Sequence, residues 1–188
     1  MTQTDNNDYI VAVNEYRARK DEAFGSSPDS PINQDERDRF SGLSYFPPDP
    51  AYRVLASVVP FAEQAVVQLG STKGDVRPQL RFAELHFTLS GQDLRLTGYQ
   101  DVDPDNGNEL FVPFRDATTG KETYGAGRYL EVEVEQGADG KLSATLDFNL
   151  AYSPWCAYNV AYSCTLPPVE NTLPIAIQAG ERTYEAHA

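Results

Sequence analysis

The sequence predicts a mainly β fold: an antiparallel barrel-like or sandwich sheet, with an amphipathic helix before it and a long ordered loop rich in aromatic residues and cysteine. From residue 52 onward, apolar and polar residues alternate with the period of two that is typical of half-buried strands. Turn pairs that tolerate a positive φ separate these runs at Ser90-Gly91, Asn106-Gly107 and Asp139-Gly140. No helical pattern lies between the runs, which favours antiparallel pairing over βαβ units. With 188 residues, the chain has the length of a single domain, 1–188, that buries a core without metals or disulfides.

The first expected element is an amphipathic helix over residues 8–24. Gly25 supplies its C-terminal stop, and its apolar face consists of residues at helical spacing, namely Tyr9, Ala12, Val13, Tyr16 and Ala23. A short second helix is expected around 34–39. The aromatic segment 40–48 follows, and because its prolines end regular structure, we expect it to dock on the core.

The β core is expected over 52–149, with a last strand after a long loop. Each candidate strand is bounded by turn residues, and the candidates are 52–59, 63–69, 79–89, 92–100, 109–114, 127–135, 141–149 and 174–184.

Alternation within two of these strands assigns their faces. In 128–134 the even residues beyond Arg128 are apolar and the odd ones from 131 are glutamates, so the even face, with Arg128 on it, is predicted to be buried. A buried guanidinium requires an anionic or strongly accepting partner, because an unpaired buried charge is destabilising by several kcal/mol. The candidate partners are Asp116, Asp147 and Glu181. In 142–149 the same alternation makes Asp147 and Asn149 neighbours on the polar face.

The segment 152–174 is irregular and contains the one tryptophan, three tyrosines, four prolines and both cysteines. Structureless connections longer than about 12–15 residues are uncommon in compact domains, and this one is too aromatic to be disordered. We therefore expect an ordered loop packed over one end of the sheet. Cys156 and Cys164 are expected to be buried thiols, because cytoplasmic thiols are normally reduced; a local disulfide is the alternative.

The charge balance is strongly acidic, with a formal net charge of −13 from 28 acidic and 15 basic residues. Molar salt screens such self-repulsion, so the composition favours a halophilic protein from a salt-loaded cytoplasm; an ordinary acidic bacterial protein is the alternative. Nucleic acids and anionic membranes are disfavoured as partners, because both require clustered lysine or arginine. The polar N-terminus, which lacks a basic and an apolar signal region, predicts a soluble, cytoplasmic protein.

Two motifs that suggest a metal site fail on their spacing. The stretch from Asp101 to Gly107 begins like a calcium loop, but its glycine is one position late and Val112 stands where the bidentate acid belongs. The two cysteines lack zinc-knuckle spacing, and the chain offers two histidines, His86 and His187, to complete a tetrahedral set. We therefore expect no metal and no cofactor. His86 could serve as the base for a cysteine nucleophile, although a structural histidine is favoured.

Most of the chain resembles a known family. The similarity is carried by blocks in the family's order: Phe46 to Pro50, Phe111 to Tyr124, Gly127 to Tyr129, Leu146 to Tyr152, Cys156 to Asn159, Tyr162 to Cys164, Leu166 to Asn171 and Ala179 to Glu181. These blocks resemble domain-of-unknown-function family 1684 of bacteria and halophilic archaea. The resemblance implies no particular activity, but it concentrates the family pattern on the polar loop 115–124, Arg128, Asp147, Asn149 and the two-cysteine segment.

Small-molecule binding at one end of the barrel is the favoured function. Arg128 would engage an anionic or carbonyl group of the ligand, Asp147 and Asn149 would orient it, and aromatic residues would form an apolar wall. The candidate binding residues are Arg115, Asp116, Tyr124, Arg128, Asp147, Asn149, Tyr152, Tyr158 and Asn159.

Two other functions stay open. A hydrolase or isomerase would use Asp116 or Asp147 as general base and Arg128 as electrostatic stabiliser. A protein-interaction module would bind its partner through the segment 152–174, the aromatic loop, and would expose Trp155 and Tyr158 as a contiguous patch. The sequence leaves the oligomeric state open.

Overall fold

An antiparallel β-barrel forms the centre of the computed structural model, which describes residues 3–102 and 107–185. Two helices precede the strands, α1 (Gln3–Ser26) and α2 (Gln34–Arg37). The strands are β1 (Arg53–Pro60), β2 (Val66–Gly70), β3 (Val76–Leu89), β4 (Gln92–Asp101), β5 (Glu109–Phe114), β6 (Arg128–Gln136) and β7 (Leu142–Asp147). Short 3-10 turns lie at Pro50–Tyr52, Phe148–Leu150, Trp155–Ala157 and Val169–Asn171. Seven of the eight predicted strands are confirmed, with ends that differ by a few residues.

The long strand β3 closes the barrel by pairing with two different partners. The strands follow one another in the order β1-β7-β6-β5-β4-β3, and β3 then pairs back with β1 from Ser57 opposite His86 to Pro60 opposite Ala83. The first half of β3 pairs with the extra strand β2. A bulge between Arg81 and Ala83 lies where β3 changes partner, and bulges increase local twist. The result is a closed six-stranded antiparallel barrel with one additional strand, which confirms the predicted fold class.

The barrel interior is filled by the side chains that the alternation predicts. On β6, Leu130, Val132 and Val134 are buried, while the glutamates between them face outward. The rings of Phe114 and Phe148 meet edge to face with centroids 5.4 Å apart. Burial of one such large apolar side chain stabilises a fold by about 1.5–3 kcal/mol. Because these side chains occupy the interior, the space for a ligand lies outside the barrel.

One buried side chain, Asn171, joins β4 to β5 where their backbones diverge. In the described residues, the ladder between these strands is reduced to the pair Tyr99 and Phe111. The side chain of Asn171 accepts a hydrogen bond from the N–H of Thr97 at 2.7 Å and donates to the carbonyls of Thr97 and Pro113 at 2.8 and 2.7 Å. The amide therefore replaces part of the missing ladder, because buried backbone groups need partners.

Helix α1 exceeds the predicted 8–24 at both ends and docks through polar contacts more than through an apolar face. Of the predicted face, Val13 is buried, whereas Ala12, Tyr16 and Ala23 are exposed. Arg17 is buried instead, and its guanidinium donates to the carbonyls of Phe46 and Asn149 at 2.8 and 3.1 Å. Neither α1 nor any other helix in the described ranges is long and apolar enough to cross a membrane.

The segment 40–48 docks on the core, as predicted. Phe46 is buried, and its N–H donates to the carbonyl of Gly180 at 3.0 Å. Tyr45 forms an isolated β-bridge with Glu181. These contacts hold the segment beside the C-terminal part of the chain.

The prediction of a final strand at 174–184 is wrong. The structure describes this whole segment, and it forms no strand ladder there. Its residues do alternate, with Ile177 and Ala179 buried, but the carbonyls of Ile177, Ala179 and Glu181 accept hydrogen bonds from the guanidinium of Arg128. A side chain has taken the acceptors that a neighbouring strand would use, so the alternation is real while the ladder is absent.

The loop 152–174 is ordered, as predicted, but it lies along the outer face of the barrel rather than over one end. Tyr99 and Tyr129 point outward, because their neighbours on β4 and β6 face the interior. The hydroxyl of Tyr99 donates to Glu170 at 3.0 Å, and the hydroxyl of Tyr129 donates to the carbonyl of Thr165. The loop therefore covers β4 to β6 from outside and leaves a groove beside them.

Candidate functional site

Arg128 and Asp116 form a fully buried ion pair at the start of β6. Arg128 is 1% exposed, and its Nη2 donates to Asp116 Oδ2 at 2.9 Å and to the carbonyl of Ile177 at 2.8 Å. Asp116 Oδ1 also accepts from the N–H and hydroxyl of Thr118 at 2.7 and 2.6 Å. Of the three predicted partners of Arg128, Asp116 is the one that supplies its carboxylate. With nearly all of its hydrogen-bonding groups used by the chain itself, this pair presents no face to a ligand.

Asp147 and Asn149 are neighbours, as predicted, but they belong to a second cluster under helix α1. Both carboxylate oxygens of Asp147 lie within hydrogen-bond distance of the hydroxyl of Tyr9, at 2.7 and 2.8 Å. Asn149 Nδ2 donates to the same hydroxyl at 2.9 Å and to the carbonyl of Asp49 at 2.8 Å. Burial raises the pKa of Tyr9, and the hydrogen bond to Asp147 raises it further, so the phenol stays protonated. The partners of this cluster thus come from α1, from Asp49 and from Arg53 of β1, and not from Arg128.

Glu181 is the centre of a third buried cluster. One carboxylate oxygen pairs with Lys20 of α1, and the other accepts from the N–H of Ser153 at 2.8 Å and from the hydroxyl of Tyr158. Burial raises the pKa of Tyr158 well above its ordinary value, and the charge of Glu181 adds to this shift. Tyr158 is therefore a buried donor that fixes the aromatic loop to the C-terminal segment.

The remaining predicted residues are spread along the loop. Arg115 pairs through its backbone, donating to the carbonyl of Asn171 at 2.9 Å, while its Nε has no hydrogen-bond partner among the described residues. Tyr124 donates to the carbonyl of Cys156 at 3.3 Å, and Asn159 donates to the side chain of Asn33 at 2.9 Å. The predicted set is therefore not brought together at a single point.

A groove on the outer face of the barrel, bordered by the loop 152–174, is one of several surface cavities in the described residues. Two adjoining cavities, of about 260 and 400 Å³, share Arg77, Phe111 and Thr165. We call the two together the outer groove. Its aromatic half is lined by Tyr129, Tyr152, Pro154, Trp155, Tyr162, Ser163 and Cys164, and its acidic half by Gln79, Tyr99, Gln100, Asp101, Glu109 and Glu131.

The aromatic half is built from rings that pack edge to face. Phe111 and Tyr129 have centroids 4.8 Å apart, and Tyr129 and Tyr152 are 5.6 Å apart. Trp155 and Tyr162 form a further pair at 5.0 Å. Trp155 remains 46% exposed at the rim. Such pairs fix ring positions, and the arrangement supplies rigid apolar walls.

Glu131 links the two halves of the groove. Its carboxylate accepts a hydrogen bond from the hydroxyl of Tyr152. Desolvation by the surrounding structure raises the pKa of Glu131 to about 7; the bond from Tyr152 opposes this shift, while the charges of Glu109 and Asp101 reinforce it. Glu131 therefore changes its charge in the physiological pH range.

The turn between β2 and β3 holds in place the wall of the groove that loop residues 162–165 form; we call it the loop wall. The N–H of Thr72 donates to the carbonyl of Cys164 at 2.9 Å, and the N–H of Cys164 donates to Thr72 Oγ1 at 3.0 Å. Leu166 donates to the carbonyl of Gly70 at 2.7 Å, and Arg77 Nη2 donates to the carbonyl of Ser163 at 2.6 Å. The strand that lies outside the closed barrel thus positions the far wall of the groove.

Both cysteines are free thiols. Cys156 is buried, and its N–H donates to the sulfur of Cys164 at 3.2 Å. Burial raises the pKa of Cys164 to about 11, so this thiol is protonated at neutral pH and is a weak nucleophile.

No group of three or more histidine, cysteine or acidic side chains is arranged to hold a metal within residues 3–102 and 107–185. Residues 103–106 of the acidic turn that begins at Asp101 lie outside the described ranges, as does His187. His86 lies on β3, where its Nε2 is 3.0 Å from Glu84 on the barrel surface, and it does not line the outer groove.

One family model matches most of the chain. The model described as a protein of unknown function, DUF1684, matches residues 38–182. The chain belongs to the DUF1684 family. This confirms the resemblance read from the sequence blocks.

A DUF1684 chain of this kind has a similar solved structure. This is the solution NMR structure of the uncharacterized protein from gene locus rrnAC0354 of Haloarcula marismortui. The two sequences are 43% identical, and the alignment covers 97% of this chain and 98% of the haloarchaeal chain, with a TM-score of 0.73. None of the curated proteins matches this chain.

The DUF1684 match contains every residue that lines the outer groove, whereas α1 lies before it. Of the lining residues, Tyr152 alone was a predicted site residue. Sequence reasoning missed Arg77, Phe111, Tyr129, Glu131, Trp155 and Tyr162 as a set. Aromatic residues at outward positions of β5 and β6 were a usable signal, because outward positions of an exposed strand are normally polar.

Proposed function

We propose that this DUF1684 protein is a small-molecule-binding domain whose ligand occupies the outer groove. Binding pockets in proteins combine apolar and aromatic walls with a few placed polar groups, and typically measure about 300–1,000 Å³. The main support is that the aromatic and acidic halves meet at Phe111, which lines both of them, so that one ligand can contact both halves. The fold supports this proposal indirectly: because side chains fill the barrel interior, a ligand can bind only on the outside of the barrel, whose strands hold the groove residues in place.

This proposal moves the site away from the predicted cluster around Arg128. That guanidinium donates to Asp116 and to three backbone carbonyls, so a ligand would have to break buried hydrogen bonds in order to reach it. Replacing such bonds is unfavourable unless the ligand restores all of them. A ligand can enter the outer groove without breaking these hydrogen bonds of Arg128.

The test is a native mass spectrum of protein purified gently from its own host, compared with the denatured mass. We expect additional mass that is lost on denaturation. Trp155→Ala should reduce the occupied fraction, because it removes a rim ring of the groove. The matched control is Val160→Ala, which changes an 87% exposed residue of the same loop that does not line the groove. Equal occupancy in both variants would place any ligand elsewhere and would contradict the proposal.

Catalysis is the second candidate, and Glu131 is the observation that favours it. A carboxyl group in a cleft with a pKa of about 7 has the property expected of a general acid or base. Asp116 and Asp147, the bases suggested by the sequence, are occupied by internal hydrogen bonds. If the ligand found by mass spectrometry is a substrate, Glu131→Gln should reduce its turnover by far more than it weakens its binding.

The protein-interaction alternative receives less support. Trp155 is 46% exposed, but Tyr158 is 6% exposed and bonded to Glu181, so the two do not form a contiguous surface patch. Exposed single aromatic residues are common on protein surfaces and need no partner.

A further inference from the structure

Building on the proposed function, we infer that the ligand of the outer groove is a small alkylated ammonium cation. Its methyl groups would contact the aromatic half, and its positive charge would lie beside the carboxylates of the acidic half. Three features of the groove carry this inference: its charge, the state of its arginine and the availability of its rings.

The charges that line the groove favour a cation. Asp101, Glu109 and Glu131 line the acidic half, against the single guanidinium of Arg77. Asp101 accepts from Gln79 Nε2 at 2.8 Å, a neutral donor that leaves its charge uncompensated. An anionic ligand would be repelled here, because like charges at short range raise the free energy of the bound state.

Arg77 offsets only part of this negative charge. Its Nη2 donates to the carbonyl of Ser163 at 2.6 Å, and its Nε lies 3.9 Å from Asp75. The guanidinium is thus engaged with the loop wall and with an acid outside the groove. With three carboxylates against one guanidinium, the acidic half remains complementary to a positive charge.

Three aromatic rings of the groove are open to a cation, because Trp155 is exposed and Phe111 and Tyr162 are half-buried, whereas Tyr129 is buried. Elsewhere the chain places its own cations over rings, with Arg81 3.7 Å from the centroid of Phe61 and Arg17 4.6 Å from that of Tyr45. In the part of the chain that the structure describes, no cation of the protein lies over the groove rings Phe111, Tyr129, Trp155 or Tyr162. Tyr152, at the groove's edge, already holds the ammonium group of Lys20 at 5.0 Å. Aromatic clusters recognise quaternary ammonium groups through cation–π attraction, and nearby carboxylates add Coulomb attraction for the same charge.

A neutral ligand of the same shape would use half of the site. It would contact the rings and leave the carboxylates without a partner, so the difference in affinity between a cation and its neutral isostere measures the inference directly. Choline and 3,3-dimethyl-1-butanol are such a pair, since they differ at one atom, nitrogen against carbon, and in charge.

The experiment is a titration of the full chain with each compound, followed by NMR signals of the Trp155 indole and of the groove amides. At about pH 8, where Glu131 is mostly charged, we expect choline to bind at least about tenfold more tightly than the alcohol, and Glu131→Gln to weaken choline by about tenfold. The matched control is Glu133→Gln, two residues along the same strand, exposed and outside the groove lining. Trp155→Ala should weaken both compounds.

The outcomes separate the inference from the proposed function. Equal binding of choline and the alcohol at the groove would overturn the cation and leave the binding function standing. The same holds if Glu131→Gln and Glu133→Gln weaken choline equally. If neither compound shifts a groove signal, the cation is overturned. If, in addition, the protein from its host carries no mass that is lost on denaturation, the binding function is overturned as well.

Discussion

At the level of single residues, Asn171 replaces strand pairing between β4 and β5. Its side chain serves two buried backbone groups of Thr97 and one of Pro113 at once. We expect Asn171→Ala to lower the free energy of unfolding by about 3 kcal/mol, because three buried backbone groups lose their partners. Urea denaturation measures this, with Asn159→Ala as the control, since that amide bonds one surface side chain. Equal losses in the two variants would show that the bridge is unimportant.

Arg128 is expected to be a stability residue. Arg128→Met leaves Asp116 and three backbone carbonyls without their donor, and breaking a buried pair typically destabilises by about 3–5 kcal/mol. Thermal denaturation should show this loss, and Arg95→Met, at an exposed position of β4, should stay within about 0.5 kcal/mol of the wild type. Unchanged stability together with lost ligand binding would instead return Arg128 to the role that the sequence suggested.

Glu131 is expected to titrate near neutral pH. A ¹³C NMR titration of its carboxyl group should give a midpoint near pH 7, and Tyr152→Phe should raise this pKa further, because the hydroxyl that stabilises the charged form is removed. The charged groups that oppose the ionisation of Glu131 are Glu109 and Asp101, which line the same half of the groove; Arg77 lines that half as well, and Arg53 and Asp147 line a second cavity beside Glu131.

The sign of the linked stability change follows from the raised pKa. The pKa of Glu131 in the folded protein, about 7, exceeds its ordinary value of 4.5. The contribution of Glu131 to the free energy of unfolding is therefore fully present below pH 4.5 and is lost as the pH rises through 7. The difference in stability between the wild type and Glu131→Gln should therefore change across that interval. A midpoint near 4.5, with no such change, would remove the basis for assigning Glu131 an acid–base role.

At the level of elements, the turn between β2 and β3 supports the groove rather than the barrel. Thr72 exchanges two hydrogen bonds with Cys164, one through its backbone and one through its hydroxyl. Thr72→Val keeps the shape and removes the hydroxyl acceptor, so the amide of Cys164 should exchange its hydrogen faster. The amide of Ala151, which donates within its own turn, should be unaffected. Faster exchange across the whole barrel would indicate a general loss of stability instead.

The elements were predictable from local pattern, whereas their partners were not. Leu130, Val132 and Val134 reveal a strand and its buried face by alternation alone. The segment 174–184 shows a similar alternation, yet its acceptors are taken by Arg128, a contact across about 50 residues of sequence that no local pattern contains. Secondary structure could therefore be predicted except where a side chain replaces a strand.

The candidate site was harder to predict for the same reason. The sequence points to polar residues such as Asp116 and Asn149, because buried polar groups draw attention, but those groups satisfy one another internally. The outer groove arises where outward rings of β5 and β6 meet a loop, and only the tertiary fold creates that meeting. Tyr152 was found because it lies in the loop that the sequence already marked as unusual.

At the level of the whole molecule, a net charge of −13 on 188 residues should make stability depend on salt. Raising NaCl from 0.1 to 1 M shortens the Debye length from about 10 to about 3 Å and screens the repulsion among surface acids. We expect Tm to rise over this range, and the rise to be smaller in a variant carrying Glu133→Gln and Glu135→Gln, which lie on the exposed face of β6. A Tm that is independent of salt would argue for an ordinary acidic protein.

The way in which β1 closes the barrel also bears on the order of folding. The hairpins from β3 to β7 join strands that are adjacent in sequence, whereas β1 pairs residue 53 with residue 147 and also joins β3. Bringing distant segments together has a loop-closure entropy that local hairpins avoid. We therefore expect the β3–β7 meander to assemble first and β1 to enter last, as the rate-limiting step. Pulse-labelled hydrogen exchange would then show the amides of β1 gaining protection after those of the β3–β4 hairpin.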